Sequence, residues 1–254
     1  MAVENSEPRG RRVVVALVAS VVLAVVGLAV GAGLVQAAGA LLVASGVGLT
    51  ASTGVLLSAV LLQGVAFGGV ALVYLRVRGL DLGYLGIAVP DLRQAIWAAS
   101  GYVLALVGAL SIGAVAVLAG LQPAQNRIAE MGQGHPEIFL LLVPVSFLLI
   151  GPGEELLFRG LIQGRLREVL GPAPAIALAS VVFAAAHLTS LSGALSGRAI
   201  TIGLLLVPAL VLGVAYERTG NLVVPALIHG AYNATLFALA YVSLTYQAGG
   251  ALLT

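Results

Sequence analysis

Apolar runs long enough to cross a bilayer as helices recur along the whole chain, separated by short polar or glycine-rich links. A helical span of the hydrocarbon layer needs about 20 predominantly apolar residues. Hydrophobic residues make up 60% of the 254 residues and charged residues 9%, and the mean hydropathy is +1.11. Inside a bilayer every backbone polar group must be satisfied within the protein, which favours helices. The sequence therefore predicts an all-α, polytopic transmembrane helix bundle.

Seven apolar runs are interpreted as spans, although 175–188 and 199–215 have only 14 and 17 residues. They cover residues 13–35, 53–75, 95–120, 138–170, 175–188, 199–215 and 223–246. An eighth span through 34–51 is the alternative count.

The orientation in the membrane follows from the 12 arginines, since the chain has no lysine. Loops on the cytoplasmic side carry an excess of positive charge. With seven spans and a cytoplasmic N terminus, ten arginines, Arg159 among them, are assigned to the cytoplasmic side, and only Arg127 and Arg198 to the outside. We therefore predict a multi-pass protein of the plasma membrane with its N terminus in the cytoplasm.

The charge and the residue types exclude several classes of protein. The net charge is only +2 and the arginines are spread over loops, so we expect no nucleic-acid partner. The chain has no cysteine, which excludes disulfides, thiolate metal ligands and cysteine nucleophiles. The expected partners are the lipid bilayer and a membrane-associated peptide or protein. The oligomeric state is not encoded in any pattern that we recognise.

Two adjacent carboxylates follow an apolar run directly, in the stretch Gly-Pro-Gly-Glu-Glu at 151–155. Ionised groups at membrane depth are costly and persist mainly where they pair, face a wet cavity or take part in chemistry. The Gly-Pro-Gly sequence predicts a break in the helix, which would place Glu154 and Glu155 beside the free N–H groups of a new helix. The structural alternative is a carboxylate pair in the headgroup region, held by Arg159 four residues after Glu155.

Three further polar side chains lie in the later spans, namely His187, His229 and Asn233. At about 1.5 Å per helical residue, Glu154, His187 and Asn233 lie about 20–25 Å from turns on the same side of the membrane, and His229 lies about one turn shallower. A packed bundle could therefore bring all four to one cavity. Taken singly, each histidine or asparagine could instead be a hydrogen-bonding group between helices.

These four groups have a common chemistry. A desolvated carboxylate beside an imidazole can take a proton from water. A second imidazole and a carboxamide can donate hydrogen bonds to a developing oxyanion. The set fits hydrolysis of an amide by an activated water.

In order and spacing, three motifs of the chain resemble the motif set of the CPBP intramembrane proteases, a family that includes type II CAAX prenyl endopeptidases and bacteriocin-processing and immunity proteins. The motifs are Glu154-Glu155-x-x-x-Arg159, Phe183-x-x-x-His187 and His229-x-x-x-Asn233. The resemblance covers about 138–240. It implies that Glu154 and His187 activate the water and that His229 and Asn233 form the oxyanion hole. It gives Glu155, Arg159 and Phe183 supporting roles.

The apolar runs and the motifs together predict the organisation of the chain. Residues 1–12 would be a cytoplasmic tail, 13–130 the N-terminal transmembrane helices and 131–254 a catalytic transmembrane core. The activity that the resemblance implies is that of an intramembrane endopeptidase without a cofactor. Its substrate would be a membrane-associated peptide, of which a prenylated CAAX-type C terminus is one class, and we expect it to approach from the cytoplasmic side.

Three alternatives stay open at this point. A zinc protease would use Glu154, His187 and His229 as metal ligands, although the chain has no His-Glu-x-x-His motif. A non-catalytic scaffold or immunity protein of the same family would keep the motifs without turnover. A proton-coupled transporter would use the same side chains as a relay and would need a polar path to both faces.

Overall fold

The architecture is entirely helical in the part of the chain that the computed structural model describes, which is the backbone of residues 8–251 and the side chains of residues 8–246. Within these residues the one β-type pairing is an isolated bridge between Asn126 and Leu191. The all-α fold class is thereby confirmed.

Among the described residues, seven long α-helices and one short α-helix form the bundle, and a 3-10 helix lies at Leu82–Leu85. The α-helices are α1 (Arg9–Ala44), α2 (Ala51–Arg78), α3 (Leu92–Leu118), α4 (Arg127–Gly134), α5 (Glu137–Arg167), α6 (Pro172–Ser190), α7 (Leu195–Thr219) and α8 (Val223–Ala251). All except α4 are long and apolar enough to cross a membrane, α8 over Val223–Tyr246. The seven predicted spans are confirmed among the described residues, and the alternative eighth span falls on the end of α1 and the link after it.

The helices extend beyond the apolar runs that predicted them. Helix α1 begins at Arg9, so part of the predicted tail 1–12 is helical, while residues 1–7 lie outside the described residues. Helix α2 continues to Arg78, where Gly79 adopts φ +64° and ends it. Hydropathy marks where the hydrocarbon layer ends, whereas arginine is a good helix former and lets a helix continue into the interface.

The Gly-Pro-Gly stretch does not interrupt α5, contrary to the sequence prediction. The α-helical turn Gly151–Glu155 is flanked by two wider π-helical segments, Ser146–Ile150 and Leu156–Gln163. A proline within a helix lacks an N–H donor, and its ring presses on the carbonyl one turn earlier. The wider turn before Pro152 accommodates this misfit. Glu154 and Glu155 therefore lie inside a continuous helix and not at the start of a new one.

The glycines of this stretch allow close approach of neighbouring helices. A Cβ atom on Gly151 would lie 2.7 Å from the carbonyl oxygen of Ala226 in α8, and one on Gly153 would lie 2.4 Å from the carbonyl oxygen of Gln63 in α2. Both separations are too short for a side chain. The absence of side chains here lets the backbones of α2 and α8 pack directly beside the two carboxylates.

Helix α5 is the centre of the bundle. It packs against α1, α2, α6 and α8, and 44% of its apolar stretch is buried, against at most 33% in the other spans. The core around it includes Leu157 and Phe158 of α5, Phe67 of α2 and Phe183 of α6. On the outer helices large apolar side chains such as Val14 of α1 are more than half exposed, as expected of a surface that faces lipid.

Polar contacts between the helix ends define the two ends of the bundle. At one end, Arg78 in the last turn of α2 bonds Glu168 after α5, and Arg167 at the end of α5 bonds Glu217 of α7. Burial alone would raise the pKa of Glu168, but hydrogen bonds and charges from Arg78 and Arg165 lower it below its ordinary value. At the other end, the link before α4 bonds the link after α6 through the backbone of Ser192.

Arginines are distributed very unequally between these ends. Arg159 is not at either end, contrary to its assignment from the sequence, because its side chain is fully buried beside Glu155. The end with nine arginines, here called the arginine-rich end, carries Arg9, Arg11, Arg12, Arg76, Arg78, Arg93, Arg165, Arg167 and Arg218. The arginine-poor end carries Arg127 and Arg198.

Close packing at Gly153 gives a prediction about stability. Gly153→Ala should lower the free energy of unfolding by about 1–3 kcal/mol, because the added methyl group overpacks the contact with α2. Gly69→Ala is the matched control, since a Cβ atom there meets nothing within 4 Å. It should leave the stability unchanged or raise it by up to about 1 kcal/mol through helix propensity. Thermal unfolding in detergent measures both, and equal melting temperatures would contradict the packing account.

Candidate active site

Three of the predicted site residues converge although they come from three different helices. Nε2 of His187 on α6 lies 3.7 Å from Oε2 of Glu154, and Nε2 of His229 on α8 lies 3.8 Å from the same oxygen. Asn233, one turn beyond His229, lines the same cavity, and its side chain makes no hydrogen bond to any described residue. The structure therefore brings all four side chains to one place, while their roles stay predictions.

Glu155 is fully buried and bonded on both carboxylate oxygens. Its Oε1 lies 2.8 Å from Nδ1 of His229, and its Oε2 accepts a hydrogen bond of 3.0 Å from Nε of Arg159. A buried carboxylate needs such partners, because an unpaired charge away from water is strongly destabilising. Since a carboxylate accepts, Nδ1 of His229 carries the proton of this bond. The ring is thereby fixed with Nε2 directed at Glu154.

The backbone of α6 orients His187 in a similar way. Its Nδ1 lies 2.9 Å from the carbonyl oxygen of Phe183, which can only accept, so Nδ1 donates. In the neutral imidazole Nε2 then carries the lone pair, and this is the atom nearest to Glu154. Both histidines therefore present Nε2 to the same carboxylate oxygen.

The ring of Phe183 lies beside the buried guanidinium and both imidazoles. Cζ of Arg159 lies 5.0 Å from the centroid of the Phe183 ring, within the range of a cation–π contact. The same ring lies 4.7 Å from the ring of His187 and 5.8 Å from that of His229, measured between centroids. The predicted supporting residues Glu155, Arg159 and Phe183 thus form the wall behind the two histidines.

The sequence interpretation missed one residue of this cluster, Gln63. Its Nε2 donates a hydrogen bond of 2.9 Å to Oε1 of Glu154, and it lies in the π-helical segment Ala59–Ala66 of α2. This bond occupies one carboxylate oxygen and leaves Oε2 to the histidines. A primary amide inside an otherwise apolar span was a usable signal, because polar side chains at membrane depth are costly unless they are bonded.

The cluster forms the inner end of a cavity of about 550 Å³. Most of its wall is apolar, with Leu62, Leu142, Leu212 and Phe237 among the lining residues. Among the described residues, no group of three or more His, Asp and Glu side chains is arranged so that it could hold a metal ion. The arrangement offers a carboxylate, two oriented imidazoles and a free carboxamide beside an apolar binding space.

Comparison with known proteins identifies the part of the chain that carries this cluster. Residues 136–235 match the family model described as type II CAAX prenyl endopeptidase, Rce1-like. The matched segment contains Glu154, His187, His229 and Asn233, and it excludes Gln63. No curated protein and no solved structure matches the chain. Over these residues the match supports the family resemblance that the three motifs indicated.

Pairing of the buried charges gives a second stability prediction. Arg159→Met should lower the free energy of unfolding by roughly 3–5 kcal/mol, because it leaves Glu155 buried with one partner fewer. Arg93→Met, at an exposed arginine, is the matched control and should change little. Adding Glu155→Gln to Arg159→Met should restore part of the loss, since no full charge is then left unpaired. If Arg159→Met unfolds like Arg93→Met in a denaturation series, the pairing account is wrong.

Proposed function

We propose that this integral membrane protein, which belongs over residues 136–235 to the CAAX/CPBP protease family, is an intramembrane endopeptidase that hydrolyses a peptide bond of a membrane-associated substrate. The observation that carries the proposal is the position of Glu154, whose free carboxylate oxygen faces two imidazole nitrogens at the inner end of an apolar cavity. Burial of a carboxylate and two imidazoles beside an apolar cavity costs free energy. A role in catalysis is therefore the best explanation of the cluster.

Water activation is assigned to Glu154 and His187. Their facing atoms both accept hydrogen bonds, and at 3.7 Å they are too far apart to bond to each other directly. One water molecule can donate to both. As its oxygen attacks the peptide carbonyl carbon, the proton passes to this pair, and the same proton is then delivered to the leaving amine when the C–N bond breaks.

Oxyanion stabilisation is assigned to His229 and Asn233. In this proposal His229 acts as the imidazolium, in which Nδ1 donates to Glu155 and Nε2 donates to the carbonyl oxygen of the substrate. In that form two carboxylates balance Arg159 and His229. The carboxamide of Asn233 is free to provide the second donor. Donors fixed in place before the reaction stabilise the charge that develops on the carbonyl oxygen.

Gln63 acts as a positioning residue in this scheme. Its bond to Oε1 of Glu154 fixes the rotation of the carboxylate, so that Oε2 points at the histidines. The proposed catalytic core over 131–254, whose last three residues lie outside the described ones, therefore depends on α2 from the proposed N-terminal part.

We further propose a plasma-membrane location with the arginine-rich end and the N terminus in the cytoplasm. A transporter would need a polar path from the cluster to both faces. On the side of the arginine-rich end, α5 continues from the carboxylates with Leu157, Phe158 and Leu161, which are at most 1% exposed. This apolar packing disfavours the transporter. Zinc-dependent hydrolysis with Glu154, His187 and His229 as ligands is the alternative chemistry, and a family scaffold without turnover is the alternative to an enzyme.

Replacement of the general base tests the enzyme proposal. Glu154→Gln keeps the shape and the bond to Gln63 but cannot take a proton, so turnover of a membrane-peptide substrate by the purified protein should fall by about 10²–10⁴-fold. Glu137→Gln, at an exposed carboxylate of the same helix, is the control and should retain full activity. A folded Glu154→Gln protein with wild-type turnover would rule out this role. A folded wild-type protein that cleaves nothing in a broad peptide panel would favour the scaffold.

Replacement of Asn233 tests the oxyanion assignment. Asn233→Ala should lower kcat by about 10²–10³-fold and leave KM nearly unchanged, because an oxyanion donor acts in the transition state. Asn233→Asp has the same shape without the N–H donors and should lose at least as much. A change in KM with an unaltered kcat in either variant would assign Asn233 to substrate binding instead.

A further inference from the structure

The cavity that starts at Glu154 leads towards one end of the bundle only. Beyond the cluster of Glu154, His187 and His229, six lining residues show the direction of the cavity. They are Ser58 near the start of α2, Asn126 and Ala129 around the start of α4, Ser190 at the end of α6, Thr201 in the first turns of α7 and Phe237 in the second half of α8. All of these positions lie on the arginine-poor side of the cluster. The polar residues at that end, Asn126 just before α4 and Ser190 at the end of α6, are partly exposed.

The opposite direction is closed among the described residues. Between the cluster and the arginine-rich end, Leu157, Leu161 and Ile162 of α5 are fully buried in the main apolar core. The amide of Gln163 lies beyond them and donates to the carbonyl oxygen of Gly213, which joins α5 to α7. Water and a peptide can therefore reach Glu154 through the arginine-poor end, whereas the arginine-rich side is filled by side chains.

The distribution of arginine assigns these ends to sides of the membrane. Nine arginines lie at the closed end and two at the open end. Because short cytoplasmic loops carry the excess of positive charge, the closed end faces the cytoplasm and the cavity opens away from it.

We infer that the substrate enters from the non-cytoplasmic side and is an apolar peptide segment of an exported or membrane-anchored polypeptide. That the cavity receives a peptide substrate rests on the proposed function. The side on which the cavity opens rests on the structure and on the distribution of the arginines. A volume of about 550 Å³ lies within the range of about 300–1,000 Å³ that encloses a ligand of a few residues. The apolar wall selects apolar side chains, and the polar groups at the two ends can meet the peptide backbone.

This direction of entry differs from the cytoplasmic approach that we expected from the sequence. The C terminus of a cytoplasmic protein, prenylated or not, would meet the arginine-rich end, where α5 leaves no path to Glu154. A polypeptide that has crossed the membrane, or is anchored with a segment on its outer side, would meet the open end.

Single cysteines test the side of the opening, because the natural chain has none. Gln125→Cys marks the open end, Arg93→Cys the closed end and Ser58→Cys the cavity wall. In intact bacterial cells a membrane-impermeant maleimide should label Gln125→Cys and Ser58→Cys, whereas Arg93→Cys should react only after permeabilisation. The inference is overturned if Ser58→Cys reacts only after permeabilisation, or reacts under neither condition in the folded protein.

Cleavage from one side tests the substrate. A soluble peptide with an apolar segment, unable to cross the membrane, is added to right-side-out and to inside-out vesicles that contain the wild-type protein or Glu154→Gln. We expect wild-type cleavage at least tenfold faster in right-side-out vesicles, and faster cleavage in inside-out vesicles would overturn the inference. If neither orientation cleaves, the peptidase proposal fails for this substrate class, and the cysteine labelling still decides where the cavity opens.

Discussion

The site depends on one buried carboxylate, Glu155, which is bonded to a guanidinium on its own helix and to an imidazole on another. In a medium of low dielectric constant such bonds are strong, and the loss of one partner leaves a charge that nothing solvates. The bond to Arg159 pairs the carboxylate with a positive charge, and the bond to His229 joins α8 to α5. The adjacent residue, Glu154, then meets two imidazoles whose orientation is already fixed.

The shape of α5 explains how two consecutive carboxylates can both be buried and bonded to different partners. Neighbouring residues on an α-helix point about 100° apart, so Glu154 and Glu155 face different partners. Glu155 is directed at Arg159 and α8, and Glu154 at α2, α6 and α8. The glycines before them allow α2 and α8 to approach the backbone, and the π-helical segments accommodate the proline. Departures from regular α-helix are frequent at functional sites.

The sequence predicts the number of spans well, because hydropathy reports directly on contact with lipid. It also predicts that Glu154, His187, His229 and Asn233 meet at one cavity, because ionisable and amide side chains are rare at membrane depth and matched depth on separate helices can be counted. It fails where the outcome depends on packing. Helix α5 continues through Pro152 because of a wider π-helical turn before it, which no local sequence pattern predicts. Burial of Arg159 depends on its guanidinium pairing with Glu155 inside the bundle instead of reaching the membrane–water interface.

The partner of Gln63 and the direction of the cavity could not be predicted from the sequence, for a related reason. The partner of Gln63 is 91 residues away along the chain, and only the close contact of α2 with Gly153 brings the two together. The opening of the cavity depends on which side of α5 the apolar core fills. Both features are determined by contacts between helices. The depth of a residue in the membrane and the orientation of a helix, in contrast, can be read from the sequence of that helix alone.

The most direct test of the account is the turnover of the wild-type protein after all bound metal has been removed with a chelator and its absence verified by elemental analysis. The account assigns the proton transfer to Glu154 and His187 themselves, so it predicts the same kcat before and after metal removal. A loss of turnover that one equivalent of zinc restores would contradict it, and would make Glu154, His187 and His229 ligands of a metal that activates the water.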